Sequence, residues 1–356
     1  MAKEMRAIVY LGPEKIELRS LPIPEPRAGE LLVKVRAALT CGTDVKTYRR
    51  GHPKFPPPFV FGHEFGGDVV TVGSGVTRFR EGMRVTANVF AECGECFYCR
   101  HGQGNLCENL VYNFGAFAEY MIIPASIVRR TTFEIPAHIS YAEAALLEPL
   151  VTVVHGWHKV AIQRGETVAI LGAGGPISLL HLQLALRSGA GQVIAIGHSP
   201  VRLEVASRLG ATHVLNAKEV NSLSSIHDLT AGYGADVVIE CAGTKLSWET
   251  AMNSARRGGR VLWFGGLPTG AKVEVDATRV HYGEIDLLNM HGGTAEDARE
   301  AFELIVTRAV KAAPLLSDEL PLEQVEQALI TMIAGEVVKV IINPEIKRNS
   351  VDISVL

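Results

Sequence analysis

The sequence predicts an α/β chain of two domains, a partly open antiparallel β domain followed by a parallel sheet covered by helices on both faces. Three observations predict it. The chain up to about residue 150 is rich in Pro, Gly and short β-type runs separated by turn signals. From about residue 155 near-continuous apolar strands alternate with helical stretches, the pattern of a sheet buried on both sides. With 356 residues the chain is long enough for two cores.

The bulk numbers narrow the class. Apolar residues at 47% and charged residues at 21% are ordinary for a soluble globular protein. A formal charge of -3 gives no basic surface for nucleic acid. No uncharged run approaches the roughly 20 residues of a membrane span. The start, Met1-Ala-Lys-Glu-Met-Arg6, lacks the charged and apolar regions of a signal peptide, so the expected location is the cytoplasm.

In the first part, Leu31–Val35, Asp68–Val72 and Tyr120–Ile123 read as strands, with turns near Pro26 and at Gly73-Ser-Gly75. In the second, Thr167–Leu171, Val193–Ile196, Asp236–Glu240 and Arg260–Phe264 read as strands, and Leu179–Ser188 and Arg202–Leu209 as helices. After about residue 292 the texture turns mixed. Helices are expected at Ala295–Val306 and Leu322–Ile333 and a strand at Val337–Ile342. The expected domains are therefore 1–153 with 293–356, and 154–292. The apolar 260–266 strand and the region of Met290 suit either an edge-to-edge contact with a second copy or an internal strand.

Four of the six cysteines, Cys93, Cys96, Cys99 and Cys107, fall in one short segment. Two-residue spacings let thiolates converge on one tetrahedral ion, and four thiolates close its shell, so this site holds a loop rather than a substrate. An iron–sulfur cluster is the rival occupant. Cys41, His63, Glu64 and Glu148 offer a thiolate, an imidazole and carboxylates, a set that binds zinc with one position open. Taken singly, each of these reads as a small core residue, a structural histidine or a helix-end acid.

The strand Thr167–Leu171 runs into Gly172, Gly174, Gly175, Pro176 and Ile177 and then a helix. Glycines there permit a tight turn and close backbone approach, and the helix N-terminus faces a pyrophosphate. The alternative is an ordinary glycine-rich turn. A third glycine is missing; if Gly175 is an extra turn residue, Ser178 takes its place. After the second strand come Gly197, His198, Ser199 and, in the next helix, Arg202, with no strand-end acid to bind ribose hydroxyls. These residues suit a 2′-phosphate and so NADP over NAD, unless they are solvent-exposed turn residues.

Taken in order, Cys41-Gly-Thr-Asp44, Gly62-His-Glu64 with Gly66-Gly67, the four-cysteine lobe, Gly115-Ala-Phe-Ala-Glu-Tyr120, Glu148-Pro-Leu150 and the glycine loop resemble the zinc-containing medium-chain dehydrogenases. The resemblance is greatest to the sorbitol (polyol) and threonine dehydrogenase branch and covers essentially the whole chain. It implies a GroES-like β domain, a doubly wound Rossmann domain, and two zinc ions per chain, one catalytic and one structural. It implies catalytic zinc on Cys41, His63 and Glu148, with Glu64 beside the metal and ligating directly or through water. Thr43 passes the alcohol proton outward, Asp44 supports the ligands, and Thr152 and Lys339 face the cofactor. The implied reaction is hydride transfer between a secondary alcohol or polyol and NAD(P), forming a ketone. The implied partner is a small-molecule alcohol, and the implied assembly a homo-oligomer, tetramer or dimer.

Three departures stand out: the altered glycine loop, the absent strand-end acid, and a short stretch from Cys107 to Gly115, which in the family borders the substrate pocket. Tyr48, Phe59 and Phe114 line that pocket or belong to the core. A threonine-type amino-alcohol dehydrogenase and an aldehyde reductase are rival activities. A dinucleotide-binding protein without catalysis is the rival of another class.

Overall fold

The computed structural model describes residues 3–52 and 54–346. The ends of the expected first domain, residues 1–2 and 347–356, lie outside the described residues. The chain divides into two compact units, one made of the residues up to Glu148 together with those from Thr294 onward, the other of Pro149–Gly293. The divide falls inside the helix Leu147–Val160.

The first unit is built on a seven-stranded sheet. Its centre is the strand Leu31–Leu39, paired antiparallel with Glu64–Val72 and with the C-terminal strand Lys339–Ile342. Leu31, Val33 and Val35 point into the core with no exposed surface, the period-2 pattern of a strand with one buried face. Phe61, Phe65, Phe117 and Ile123 close over them. Each such side chain contributes about 1.5–3 kcal/mol by leaving water. The register Leu39↔Glu64 and Ile341↔Leu39 brings the two ends of this unit's sequence together on one strand. The hairpin Glu4–Gly12/Lys15–Pro22 and the strands Arg84–Ala87, Thr132–Glu134 and Leu316–Leu320 are among the β elements that lie beyond those read from sequence.

The second unit is a six-stranded parallel sheet. Its order is His213–Asn216, Gln192–Gly197, Thr167–Leu171, Ala235–Glu240, Ala255–Trp263, Asp286–Asn289. The order reverses between the first and fourth strands of the unit, and a ligand-binding crevice forms at such a switch point. Val237, Val238, Ile239 and Glu240 are all fully buried, as expected of a strand covered on both faces.

Two helix starts need correction, and one open alternative is resolved. The helix after the glycine loop spans Pro176–Arg187, starting earlier than Leu179 because Pro176 sits pre-shaped in its first turn. The next helix spans Pro200–Leu209, because the Ser199 side chain caps it. The strand containing Arg260 is internal to the sheet, and the edge belongs to Asp286–Asn289. Among the described residues, no helix is long and apolar enough to cross a membrane.

Candidate active site

Cys41, His63, Glu64 and Glu148 converge, with one donor atom from each lying within 4.8 Å of the others. All four belong to the first unit. Cys41 ends the run from the central strand and is the N-cap of the helix Gly42–Arg50. Its sulfur accepts from the Thr43 amide at 3.4 Å, and the Asp44 carboxylate accepts from the Cys41 amide at 2.8 Å. A sulfur at a helix N-terminus is favoured as thiolate. Asp44 does a second job. Its other oxygen lies 3.1 Å from His63 Nδ1, off the hydrogen-bonding direction, and His63 Nε2 lies 3.9 Å from Glu148.

Local backbone geometry sets His63 in place. Gly62 has φ +82, and a Cβ there would lie 2.7 Å from the Phe117 ring, so only glycine fits before the ligand. Glu148 projects from the first turn of its helix. Glu64 has no exposed surface, and Lys339 Nζ donates to its two oxygens at 2.7 and 2.5 Å and to the Thr40 carbonyl at 2.9 Å.

The electrostatics fit a divalent cation. Burial, and then the Glu64 charge, push the Cys41 thiol up, and burial raises Glu148. Burial opposes charge on His63, but Asp44 outweighs it and raises the imidazole pKa well above its ordinary value. Lys339 is likewise penalised by burial and held protonated by Glu64. A thiol and the carboxyls of Asp44, Glu64 and Glu148 are thus packed with the His63 imidazole and the Lys339 ammonium. A dication beside them supplies the missing positive charge and favours the ionised ligands.

Cys93, Cys96, Cys99 and Cys107 form the second cluster. Their sulfurs stand 3.5 to 3.9 Å apart. Four sulfurs about 2.3 Å from a tetrahedral zinc are separated by roughly 3.8 Å, so the cluster matches that ion. Amides of Cys96, Gly94, Asn109 and Cys93 donate to these sulfurs at 3.2 to 3.4 Å. Such backbone bonds pull the Cys93 thiol down to about 6.

In the second unit, Gly172 has φ +80, and a Cβ there would meet the Ala242 amide at 2.7 Å. A Cβ on Gly174 would meet the Arg202 Cβ at 2.6 Å, and one on Gly197 the Ala173 carbonyl at 2.0 Å. The loop is therefore glycine-rich for packing as well as for ligand access. Ser178 is buried; its hydroxyl accepts from Gly174 N at 3.0 Å and donates to Gly175 O at 2.8 Å. That is a pin for the turn where a third glycine was sought. No side chain caps the helix at Gly175, which leaves amides of its first turn, beside Pro176 and Ile177, for an anion.

His198 is exposed at the strand end and borders a cavity of 190 Å³ with Gly172, Ala242 and Thr244. Ser199 caps the next helix, and Arg202 lies half-buried against Gly174, with burial lowering its pKa. Thr152 donates its hydroxyl to Pro149 O at 2.8 Å, and Thr43 is exposed. Lys339, expected at the cofactor, instead spends its hydrogen bonds on Glu64 and Thr40, with no exposed surface.

Two further residues went unseen in the sequence reading. Glu240 ends its strand fully buried; one oxygen accepts from Ala242 N, Gly243 N and Ser247 Oγ, each at 2.7 Å, and so shapes the loop against Gly172. An acid closing an otherwise apolar strand was the available signal. Phe55 packs on Phe114 with ring centroids 4.3 Å apart, and Phe114 lies 5.8 Å from the His63 ring. Tyr48 is buried in the core. Its hydroxyl donates to Glu326 at 2.6 Å, which pushes its pKa up to about 12. Phe59 lies against Tyr10 and Phe61 as well as Phe114.

Residues 27–133 match the family described as alcohol dehydrogenase GroES-like domain, and residues 176–307 that described as zinc-binding dehydrogenase. The chain is 33% identical to the sorbitol dehydrogenase of Bacillus subtilis, over 96% of this chain and 98% of that protein. It is 32% identical to the L-threonine 3-dehydrogenase of a Chelativorans species, over 96% of this chain and 100% of that one. Among solved structures, a zinc-binding dehydrogenase of Sinorhizobium meliloti bound to NADP superposes with a TM-score of 0.88 at 34% identity, covering 96% of this chain and 100% of that chain.

Proposed function

The chain belongs to the zinc-containing medium-chain dehydrogenase family, and we propose that it transfers hydride reversibly between a secondary alcohol or polyol and NAD(P), forming a ketone. The observation that carries this reading is the convergence of Cys41, His63, Glu64 and Glu148 within 4.8 Å. A mixed sulfur, nitrogen and oxygen set with one carboxylate held aside suits catalytic zinc with an open position.

When bound, zinc supplies a Lewis acid for the substrate oxygen, and the dinucleotide supplies the hydride acceptor or donor. In this reading Cys41, His63 and Glu148 hold the metal. Asp44 fixes Cys41 through its amide and orients the His63 ring. Lys339 holds Glu64 beside the site and opposes the burial that pushes its carboxyl up to about 7. The Thr43 hydroxyl, exposed in the first turn of its helix, takes the alcohol proton outward. Cys93, Cys96, Cys99 and Cys107 hold a second, structural zinc.

Gly172, Gly174, Gly175, Pro176 and Ile177 present the helix N-terminus to the pyrophosphate. Gly197, His198, Ser199 and Arg202 receive a 2′-phosphate, which favours NADP, and Thr152 lies on the nicotinamide side. The NADP bound to the Sinorhizobium relative supports this preference. The enzyme works on a small molecule in the cytoplasm. It assembles as a homo-oligomer, with the open edge of Asp286–Asn289 offered to a second copy.

The test is zinc content per chain together with turnover of alcohols with NAD⁺ and NADP⁺. Two zincs with turnover sustain the reading. Full zinc, bound dinucleotide and no turnover on any alcohol would replace it with a binding protein.

A further inference from the structure

Resting on the dehydrogenase reading, we propose that the substrate is a secondary alcohol carrying an aromatic or bulky apolar group, and that polyols and amino acids are poor substrates. The side of the metal-ligand cluster beside His63 is aromatic. The Phe114 ring lies 5.8 Å from the His63 ring, centroid to centroid, and no other aromatic ring sits as near to that imidazole among the described residues. Phe55 packs on Phe114 at 4.3 Å, with His52 against Phe55 at 4.7 Å and Phe59 at 5.9 Å from Phe114. Phe55, Phe59 and Phe114 are only half-buried, so this platform keeps apolar surface that the unit's own packing does not cover.

The platform has little to offer a hydroxyl or a carboxylate. Of the polar tips around it, the Lys54 ammonium donates to the Tyr112 hydroxyl at 3.1 Å and Tyr48 to Glu326 at 2.6 Å, while the Tyr10 hydroxyl and the Asn113 side chain are buried. Lys339, the buried cation of the cluster, is committed to Glu64 and Thr40. A polyol chain laid on these rings loses water from its hydroxyls and gains no hydrogen bond from the rings in return. An apolar pocket discriminates against an added hydroxyl by about 10²-fold, whereas a site built to bind that hydroxyl discriminates in its favour. A phenyl or branched alkyl group gains contact area and ring-to-ring geometry on the same surface.

The experiment measures kcat/KM of the zinc-loaded enzyme, with each dinucleotide, on 4-phenyl-2-butanol, 2-butanol, sorbitol and L-threonine. The expected order places 4-phenyl-2-butanol first, about 10²-fold above sorbitol. Phe114→Asn narrows that ratio at least about tenfold, chiefly through KM of the phenyl substrate, while Phe114→Leu retains most of it. Sorbitol or threonine turned over as well as the phenyl alcohol would overturn the inference and leave the dehydrogenase reading standing. If no alcohol is turned over, the dehydrogenase reading falls, and saturation-transfer NMR with 4-phenyl-2-butanol decides the inference separately. Binding that Phe114→Asn weakens and Phe114→Leu keeps supports the aromatic platform, and absence of binding to the wild-type protein removes it.

Discussion

Lys339 donates to both carboxylate oxygens of Glu64, at 2.7 and 2.5 Å, and neither side chain has exposed surface. The pair joins the strand Lys339–Ile342 to the strand Glu64–Val72, which begins just after His63. Lys339 is a buried positive charge beside the ligand cluster, so its loss is felt as an uncompensated carboxylate rather than as a missing contact.

Lys339→Met is therefore expected to destabilise the first unit by about 3–5 kcal/mol, the usual cost of removing one partner of a buried pair. Lys339→Met combined with Glu64→Gln recovers much of that loss, because the stranded charge goes with its partner. Denaturant unfolding of the two single variants and the double variant closes the cycle. Additive losses would mean that the two side chains are not coupled.

The four-thiol lobe gives a prediction about metal count. Cys99→Ser removes one corner of a cluster whose sulfurs stand 3.5 to 3.9 Å apart. Zinc should fall by one ion per chain while the ion on Cys41, His63 and Glu148 remains. The segment around 93–107 should become the first site of limited proteolysis, since a short loop closed by a metal has little apolar core of its own. A variant that keeps two zincs with an intact lobe would refute the assignment.

How much of this was legible beforehand followed the range of the interactions. The thiol lobe was readable because its ligands are neighbours in sequence and their spacing alone sets convergence. The glycine loop was readable because strand, turn and helix are consecutive. The Glu64–Lys339 bond was not, since it spans 275 positions and exists only because the strand Leu31–Leu39 pairs with both partners' strands. The strand around Arg260 was ambiguous for a related reason: an internal apolar strand and an edge strand have the same composition, and only the pairing with Asp286–Asn289 separates them. Glu240 left only the mark of an acid closing an apolar strand, because two of its partners are backbone amides of the following turn, which residue type does not reveal.

Cofactor preference is testable at His198, which is exposed at the end of the second strand of the parallel sheet and borders the cavity beside Gly172. His198→Asp places an acid where NAD-binding folds hold the ribose hydroxyls and repels a 2′-phosphate. The ratio of kcat/KM for NADP⁺ over NAD⁺ is expected to fall by about tenfold or more, mainly through KM for NADP⁺. An unchanged ratio would remove His198, and the loop it belongs to, from the 2′-phosphate site.

The last prediction concerns pH and the second unit. His181 is fully buried on the helix Pro176–Arg187, edge-on to Phe264 at 5.0 Å, and its Nε2 has no hydrogen-bond partner. Burial lowers its pKa from 6.5 to about 3. The folded state therefore keeps the ring neutral between those values, while the unfolded chain takes up a proton. Stability rises with pH wherever the unfolded state binds more protons, so this group's contribution is complete above pH 6.5 and is lost as pH falls towards 3, at up to about 1.4 kcal/mol per pH unit. His181→Leu should flatten that slope relative to the parent while leaving stability at neutral pH equal or higher. The chain's three tryptophans, Trp157, Trp248 and Trp263, all lie in this unit, so their fluorescence during unfolding reports it directly. Parallel pH profiles for parent and variant would show that the ring meets a proton in the folded state more readily than its apolar surroundings allow.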